Sequence, residues 1–492
     1  MINLIRIETK KIFHKKSFFI IYLLMISFCL LNNILYWKDY DQEGNYKYQD
    51  KENLQQEKKT ITKELEKYDS SKESDISLWI SLKTKLDILE LKEQFSVNSW
   101  QYQKLNDYLY DTIYQMNQCK YREITNLNCD KYTETYTLYL EKLKQENWSY
   151  FIQEEITKVE ATIKKLKTSL SETNDKATQL ELQKEISTHQ ENLKILNYRL
   201  QNQIKEDNSY FNQSFIKLVE GTKKVKDYQQ ISQTRTLTYE EQQAFYQSLF
   251  DVAISKYEIE KQEKINKPNT LNYNLRTIVE DYELFLVIII LMVATTSICE
   301  EFSTGTVKLL LIKPYSRVKI LLSKYFASIG ILLLSIFILI IVQFLAGGIF
   351  LGFNSLSTPV VTYHYQTSTV TNYSVWIYML IRVMTKLPLF IMLLTMSFAI
   401  GIILTNSVAT ITIPLTIYMF SPYIKQLAVQ YQLKFMRYFI GLNWNFEDYL
   451  FGALSDFQYV DVKFSLIIYL IYLVGGLGIT ICIFQKKNIK NI

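Results

Sequence analysis

The sequence predicts an all-α membrane protein with six transmembrane helices and one large, coiled-coil-containing helical domain outside the cell. Mean hydropathy over the 492 residues is only -0.03, but polar residues concentrate between positions 38 and 283. Residues 17–37 and 284–484 are mostly apolar. The polar segment also lacks proline before Pro268, so the strongest helix breaker is missing from it.

The spans follow from length, because a bilayer core of about 30 Å needs about 20 helical residues to cross. The first apolar segment follows a basic stretch, as a signal peptide would, but no small-residue cleavage site comes after it. We therefore interpret it as an uncleaved anchor. The predicted spans are residues 17–37, 284–299, 325–353, 375–404, 407–424 and 464–484, and the polar pair Thr405-Asn406 separates the fourth from the fifth.

Lysine and arginine are unevenly distributed among the connecting segments. They cluster in residues 1–16, 300–324 and 485–492, whereas the connection 354–374 has none. Because basic loops stay in the cytoplasm, we expect both termini and the 300–324 connection there, and residues 38–283 outside the cell. The basic residues Lys425, Lys434 and Arg437 run against this assignment, because they fall in the predicted outer segment 425–463.

Two apolar stripes in the predicted outer domain recur with an average spacing of about 3.5 residues, the period of a left-handed coiled coil. A short polar link joins the stripes and predicts an antiparallel hairpin. The stripe residues are Ile152, Ile156, Val159, Ile163, Leu166 and Leu170, then Leu182, Ile186, Leu193, Leu196 and Leu200. His189 lies on the second stripe and is either a pH- or metal-sensitive residue or a polar residue that fixes the helix register.

The cysteines, the missing motifs and the net charge limit the possible functions. Cys119 and Cys129 are the only cysteines in the predicted outer domain, where they form either a disulfide or two free thiols. The sequence contains no GxxxxGK[ST], HExxH, CxxC or GxSxG motif, and we assign no catalytic residue and no metal site. A net charge of +6 fits basic flanks that meet anionic lipid, and nothing supports nucleic-acid binding.

The connection between the second and third spans has an unusual composition. Glu300 and Glu301 end the second span, where they could accept hydrogen bonds from a docked protein, and Gly305 permits a sharp turn. A short apolar run follows at Val307–Ile312 and Pro314 ends it. An ordinary tight connection would explain Lys319 and Lys324, which we expect at the lipid headgroups. It would not explain the Glu-Glu, Gly-Thr and Lys-Pro pairs together.

This pattern resembles the type 2 ATP-binding-cassette permeases, whose second and third spans are joined by an acidic residue, Gly-Thr, an apolar run, proline and basic residues. Residues 4–19, LIRIETKKIFHKKSFF, are similar to the N-terminal interfacial helix of that family. The resemblance covers residues 1–37 and 284–492 but not the large insertion. It implies that the following residues couple the chain to an ATPase: Glu300, Glu301, Gly305, Thr306, Leu309, Leu310, Pro314 and Arg317.

The resemblance also implies the partners. Two copies of a separate cytoplasmic ATPase would bind ATP and magnesium, and a second permease subunit, identical or different, would complete a dimer in the membrane lipid. On this resemblance the chain itself would not be an enzyme and would bind no cofactor. The expected location is the plasma membrane of a bacterial cell.

Two regions near the outer surface leave alternatives open. Arg382 and Lys386, near the start of the fourth span, either face the interior on a translocation path or snorkel to the interface. The segment 425–463 is rich in aromatic residues, which indicates either re-entrant helices, as in the permeases, or an aromatic belt.

The preferred function is the permease subunit of an ATP-driven exporter, moving an amphipathic peptide or an antibiotic for export or self-immunity. The alternative is a non-transporting scaffold or secretion accessory that presents a coiled-coil stalk outside the cell. A neighbouring gene for an ATPase would favour transport.

Overall fold

The computed structural model describes residues 2–42, 46–122, 128–173, 175–207, 209–265, 267–305, 315–431, 433–452 and 460–487. These residues form two compact units. The first comprises Met1–Tyr40, Lys224–Ile254 and Ile265–Ile492, and the second comprises Asp41–Lys223 and Ser255–Lys264.

The described residues are almost entirely helical. In chain order the elements are α1 (Ile2–Phe13), α2 (Lys16–Gln42), α3 (Tyr46–Leu65), α4 (Ile76–Lys92), α5 (Trp100–Tyr121), α6 (Cys129–Lys144), α7 (Trp148–Glu172), α8 (Lys176–Gln201), α9 (Tyr210–Thr234), α10 (Tyr239–Lys261), α11 (Leu271–Arg276), α12 (Ile278–Asp281), α13 (Glu283–Ser303), α14 (Arg317–Leu351), β1 (Val360–His364), β2 (Thr369–Tyr373), α15 (Val375–Leu404), α16 (Ser407–Gln430) and α17 (Val462–Lys486).

Six helices among the described residues are long and apolar enough to cross a membrane, namely α2, α13, α14, α15, α16 and α17. The chain is therefore a multi-pass membrane protein. The helix that contains the third predicted span, α14, already starts at Arg317, eight residues before that span. The side chain of Ser316 accepts a hydrogen bond from the Lys319 backbone N–H and caps this start.

The core of the membrane unit lies along α13 and α15. In their most apolar stretches, 61% of α13 and 56% of α15 are buried within the protein, against 17% for α16 and for α17. Leu286, Ile290, Phe390 and Phe398 are among the fully buried side chains of this core. The two central helices are thus shielded by protein, while α16 and α17 leave most of their apolar surface exposed.

The break between the fourth and fifth spans falls at Thr405 and Asn406. Thr405 has a left-handed backbone, with φ of 50°, and ends α15. The Asn406 side chain then accepts hydrogen bonds from the backbone N–H groups of Val408 and Ala409 at the start of α16. The sequence predicts the separation of the fourth and fifth spans at this same polar pair.

The connection after α14 adds one short β-hairpin to the otherwise helical fold. β1 and β2 pair antiparallel, with Val360 opposite Tyr373 and His364 opposite Thr369. The signal was present in the sequence: valine, threonine and tyrosine, which favour extended backbone, fill both strands. Asn272 of α11 donates hydrogen bonds to the Ser355 and Thr358 carbonyls just before the hairpin.

The predicted re-entrant segment 425–463 has a different local structure. α16 continues to Gln430, and three short 3₁₀ turns follow at Lys434–Tyr438, Ile440–Leu442 and Phe446–Gly452. The second turn and the adjoining Trp444 are buried. The described part of this segment therefore contains no pair of α-helices after Gln430, and entry into the membrane stays a prediction.

The second unit packs its helices around several small cores. α7 and α8 contact each other along the predicted stripes, with Ile152, Ile163 and Leu196 buried between them. His189 is half-buried on α8. A disulfide joins Cys119 in the last turn of α5 to Cys129 at the start of α6, with 5.9 Å between the two Cα atoms. A supercoil and a location outside the cell both stay predictions.

Candidate functional site

One end of the membrane bundle, here called the basic end, gathers α1, the end of α13, the start of α14 and the ends of α15 and α17. The short helix α1 reaches this end because one face is apolar, burying Leu4 and Ile12. Its Glu8 is buried on the same face, with only 5% of its surface exposed. A buried carboxylate needs a cationic partner, since an unpaired charge away from water is costly.

Lys324 supplies that partner from the second turn of α14. Its Nζ lies 2.9 Å from Glu8 Oε2 and 2.6 Å from Glu301 Oε1. The Lys324 side chain is 2% exposed and that of Glu301 is 5% exposed. One ammonium group therefore joins α1, α13 and α14 inside the protein.

Two further lysines complete the ion pairs of this cluster. Lys11 contacts Glu301, and Lys15, just before α2, contacts Glu300. Together with Lys324 and Glu8 they give three ammonium groups for three carboxylates, so the cluster is neutral. We call these six residues the basic-end cluster: Glu8, Lys11, Lys15, Glu300, Glu301 and Lys324.

Arg317 fastens the last span to the same end. Its Nη1 donates to the Gln485 carbonyl at 2.8 Å and the Lys487 carbonyl at 3.1 Å, which belong to the last turn of α17 and the residue after it. Lys487 in turn contacts the Ile402 carbonyl near the end of α15. Cations at these two helix ends satisfy carbonyl groups that have no partner within the helix.

The predicted coupling residues divide into two groups. Glu300, Glu301, Gly305 and Arg317 lie at the basic end, and Gly305 adopts the left-handed backbone of a sharp turn, with φ of 68°. The other four, Thr306, Leu309, Leu310 and Pro314, lie outside the described residues.

The surroundings of Glu301 and Lys324 differ from those that the sequence predicts. Glu301 is buried against lysines of its own chain, rather than displayed for a docked protein. Lys324 is buried as well, rather than placed at the lipid headgroups. Sequence reasoning missed the pairing because the partners Glu8 and Lys324 are 316 residues apart. The one available signal was an acidic residue within an otherwise basic N-terminal helix.

Arg382 and Lys386 lie at the other end of the bundle, here called the opposite end, and face the protein. Arg382 forms ion pairs with Glu280 and Glu447. Lys386 Nζ lies 2.8 Å from Glu283 Oε2 and 2.8 Å from Glu447 Oε2. The Tyr418 hydroxyl of α16 donates to the other Glu283 oxygen at 3.0 Å. Of the two alternatives, the structure favours the interior one, while a translocation path stays a prediction.

A polar cluster also lies within the membrane-spanning part. The side-chain amides of Asn33 and Gln343 exchange hydrogen bonds of 3.1 Å in both directions, and Asn274 donates to Asn33 at 3.3 Å. Cys29 donates to Gln343 at 2.9 Å. All four side chains are buried, so these bonds hold α2, α14 and α11 together where water is excluded.

Comparison with known proteins gives one match. Residues 246–490, which include the last five of the six apolar helices, match a family described as "Protein of unknown function (DUF2705)". No curated protein matches the chain. No solved structure matches it either.

Proposed function

We propose that this chain is the membrane-spanning subunit of an ATP-driven exporter, of the kind represented by the type 2 ATP-binding-cassette permeases. The basic-end cluster is the observation that carries the proposal. It fixes α1, α13 and α14 to one another at both borders of the connection that resembles a coupling helix. A displacement of that connection by a partner would therefore move the spans themselves, and not only the residues at their ends.

In this proposal the basic end faces the cytoplasm of a bacterial cell. Two copies of a partner ATPase bind ATP and magnesium there, and contact the segment from Gly305 to Pro314. A second permease subunit, identical or different, completes the membrane assembly. The charge distribution supports the orientation, because described residues of all three lysine-rich segments lie at this end.

The second unit would lie outside the cell and would handle the cargo, for which we propose an amphipathic peptide or an antibiotic. Its compactness as a unit of its own supports a task distinct from that of the spans. The same observation favours a second candidate, a scaffold that presents a helical stalk to an outside partner. A scaffold needs no ATPase, and this difference separates the two functions.

Affinity capture of an ATPase encoded beside this chain tests the proposal. The wild-type chain should retain the ATPase in mild detergent. Leu309→Glu with Leu310→Glu should lower recovery at least tenfold, because two carboxylates in an apolar contact would lose their water without gaining a partner. The control is Lys319→Ala, since Lys319 is exposed beside the same connection.

Two outcomes would contradict the transport function. The first is failure of the wild-type chain to retain the ATPase while it still reaches the membrane. The second is equal recovery with the wild type and with the double variant, which would remove the coupling role of the connection. An outside partner captured without any ATPase would favour the scaffold.

A further inference from the structure

The ion pairs at the opposite end form one continuous chain of alternating charge. It runs from Glu280 through Arg382, Glu447 and Lys386 to Glu283. These residues belong to α12, α15, the turn Phe446–Gly452 and α13, so the chain joins four segments. It contains three carboxyl groups and only two cations.

The neighbouring charges do not remove this imbalance. Arg276 of α11 interacts electrostatically with Glu280 and lies 4.7 Å from the ring of Tyr273. Asp281 follows Glu280 and accepts a hydrogen bond of 2.7 Å from Thr277. Counting both still leaves four carboxyl groups against three cations. The titratable groups that interact with Glu280 are Arg276, Tyr378, Arg382, Lys386 and Glu447, and Asp281 and Glu283 follow it in the chain.

Burial makes the excess negative charge unfavourable. The Glu447 side chain is 15% exposed and that of Lys386 is 9% exposed. Burial raises the pKa of Glu280 to about 7. The positive charge of Arg382 lowers this pKa, and the negative charge of the Glu447 carboxylate raises it. At Glu447 burial acts in the same direction, but Lys386 and Arg382 outweigh it and lower the pKa of that group.

We propose that Glu280 and Glu447 form a proton-binding site, in which protonated Glu280 donates a hydrogen bond to the Glu447 carboxylate. The bound proton removes the excess charge and holds α12 against α15 and the turn Phe446–Gly452. When Glu280 releases the proton, two carboxylates face each other beside Arg382 and the contact weakens. A small metal cation is a poorer occupant, since the described residues contain no cluster of three ligands suited to a metal.

The sign of the pH effect follows from the raised pKa. Between the ordinary value of 4.5 and about 7, the folded protein binds more protons at Glu280 than the unfolded chain. Stability therefore falls as pH rises across this window and levels off above it. In Glu280→Gln the side chain is a neutral amide at every pH. This variant should therefore fold at every pH, and its stability should no longer fall across this window.

Infrared spectroscopy of the purified full chain in lipid nanodiscs tests the site directly. Spectra at about pH 5.5 and about pH 8.5, on either side of the raised pKa, should differ by a protonated-carboxyl band. The band should be present in the wild type and lost in Glu280→Gln. Glu240→Gln, an exposed change on α10, is the control and should keep the band.

The thermal unfolding midpoint over the same pH range gives a second readout. It should fall with rising pH in the wild type and stay flatter in Glu280→Gln, which should be the more stable of the two at the high-pH end. A band that is absent from the wild type, or unchanged in Glu280→Gln, would overturn the proposal. A wild-type midpoint restored at high pH by sodium chloride, but not by choline chloride at equal ionic strength, would identify a metal cation instead.

Discussion

Lys324 is the residue on which the basic end depends most. Its side chain is only 2% exposed, and its ammonium group is paired with the carboxylates of Glu8 and Glu301. Its apolar neighbours on α14 follow the expected pattern of a span, and the sequence therefore predicted the helix. The sequence could not predict the burial of this side chain, because both carboxylates come from other helices.

Lys324→Met should destabilise the membrane unit by about 3–5 kcal/mol, the usual cost of removing one partner from a buried ion pair. The methionine fills the space, but leaves the Glu8 carboxylate buried without its cation. Unfolding in mixed detergent micelles measures the loss. Lys319→Met, an exposed change on the same helix, should be nearly neutral.

Adding Glu8→Gln to Lys324→Met should recover most of the stability. The double variant contains no buried unpaired charge at Glu8, and Glu301 keeps Lys11 as its partner. If the single Lys324 variant were as stable as the wild type, the ion pairs would contribute nothing to holding α1 against the spans.

At the scale of elements, apolar length predicted the six long apolar helices, and local chemistry indicated some of their ends. The hinge at Thr405-Asn406 and the cap at Ser316 are properties of adjacent residues, so they can be inferred from the sequence. The short helix α11 could not, because its Asn272 and Asn274 are held by partners on distant segments. The β-hairpin was visible as β-branched residues but was treated as a loop.

The pair α7 and α8 offers a test of packing in the second unit. Ile163→Asp would place a carboxylate in a buried apolar seam and should destabilise the pair by several kcal/mol. Leu180→Asp on α8 is the matched control, because this leucine is 70% exposed. Limited proteolysis at the link between the two helices should be faster for the Ile163 variant alone.

The six spans and the basic-end cluster should not respond to this change, since they belong to the other unit. Equal proteolysis of both variants would show that the seam contributes little to holding α7 and α8 together.

At the scale of the whole molecule, the two ends of the bundle have different electrostatic designs. The basic-end cluster balances three ammonium groups against three carboxylates, whereas the chain of ion pairs at the opposite end has one carboxyl in excess. A balanced cluster is suited to a permanent mechanical link. An unbalanced one is suited to a contact that changes with its surroundings. The central claim is that the basic end transmits ATP-driven movement to the spans.

Distance measurement between spin labels tests that claim without knowledge of the cargo. Labels at Trp376 and Val462, exposed at the first residues of α15 and α17, report the opposite end of the bundle. In the complex with its ATPase, ATP with vanadate should shift the distance distribution of the wild type. The Glu8→Gln, Lys324→Met variant should hydrolyse ATP with a much smaller shift, because α1 and α14 are no longer joined. A shift of wild-type size in this variant, or none in the wild type, would contradict the claim.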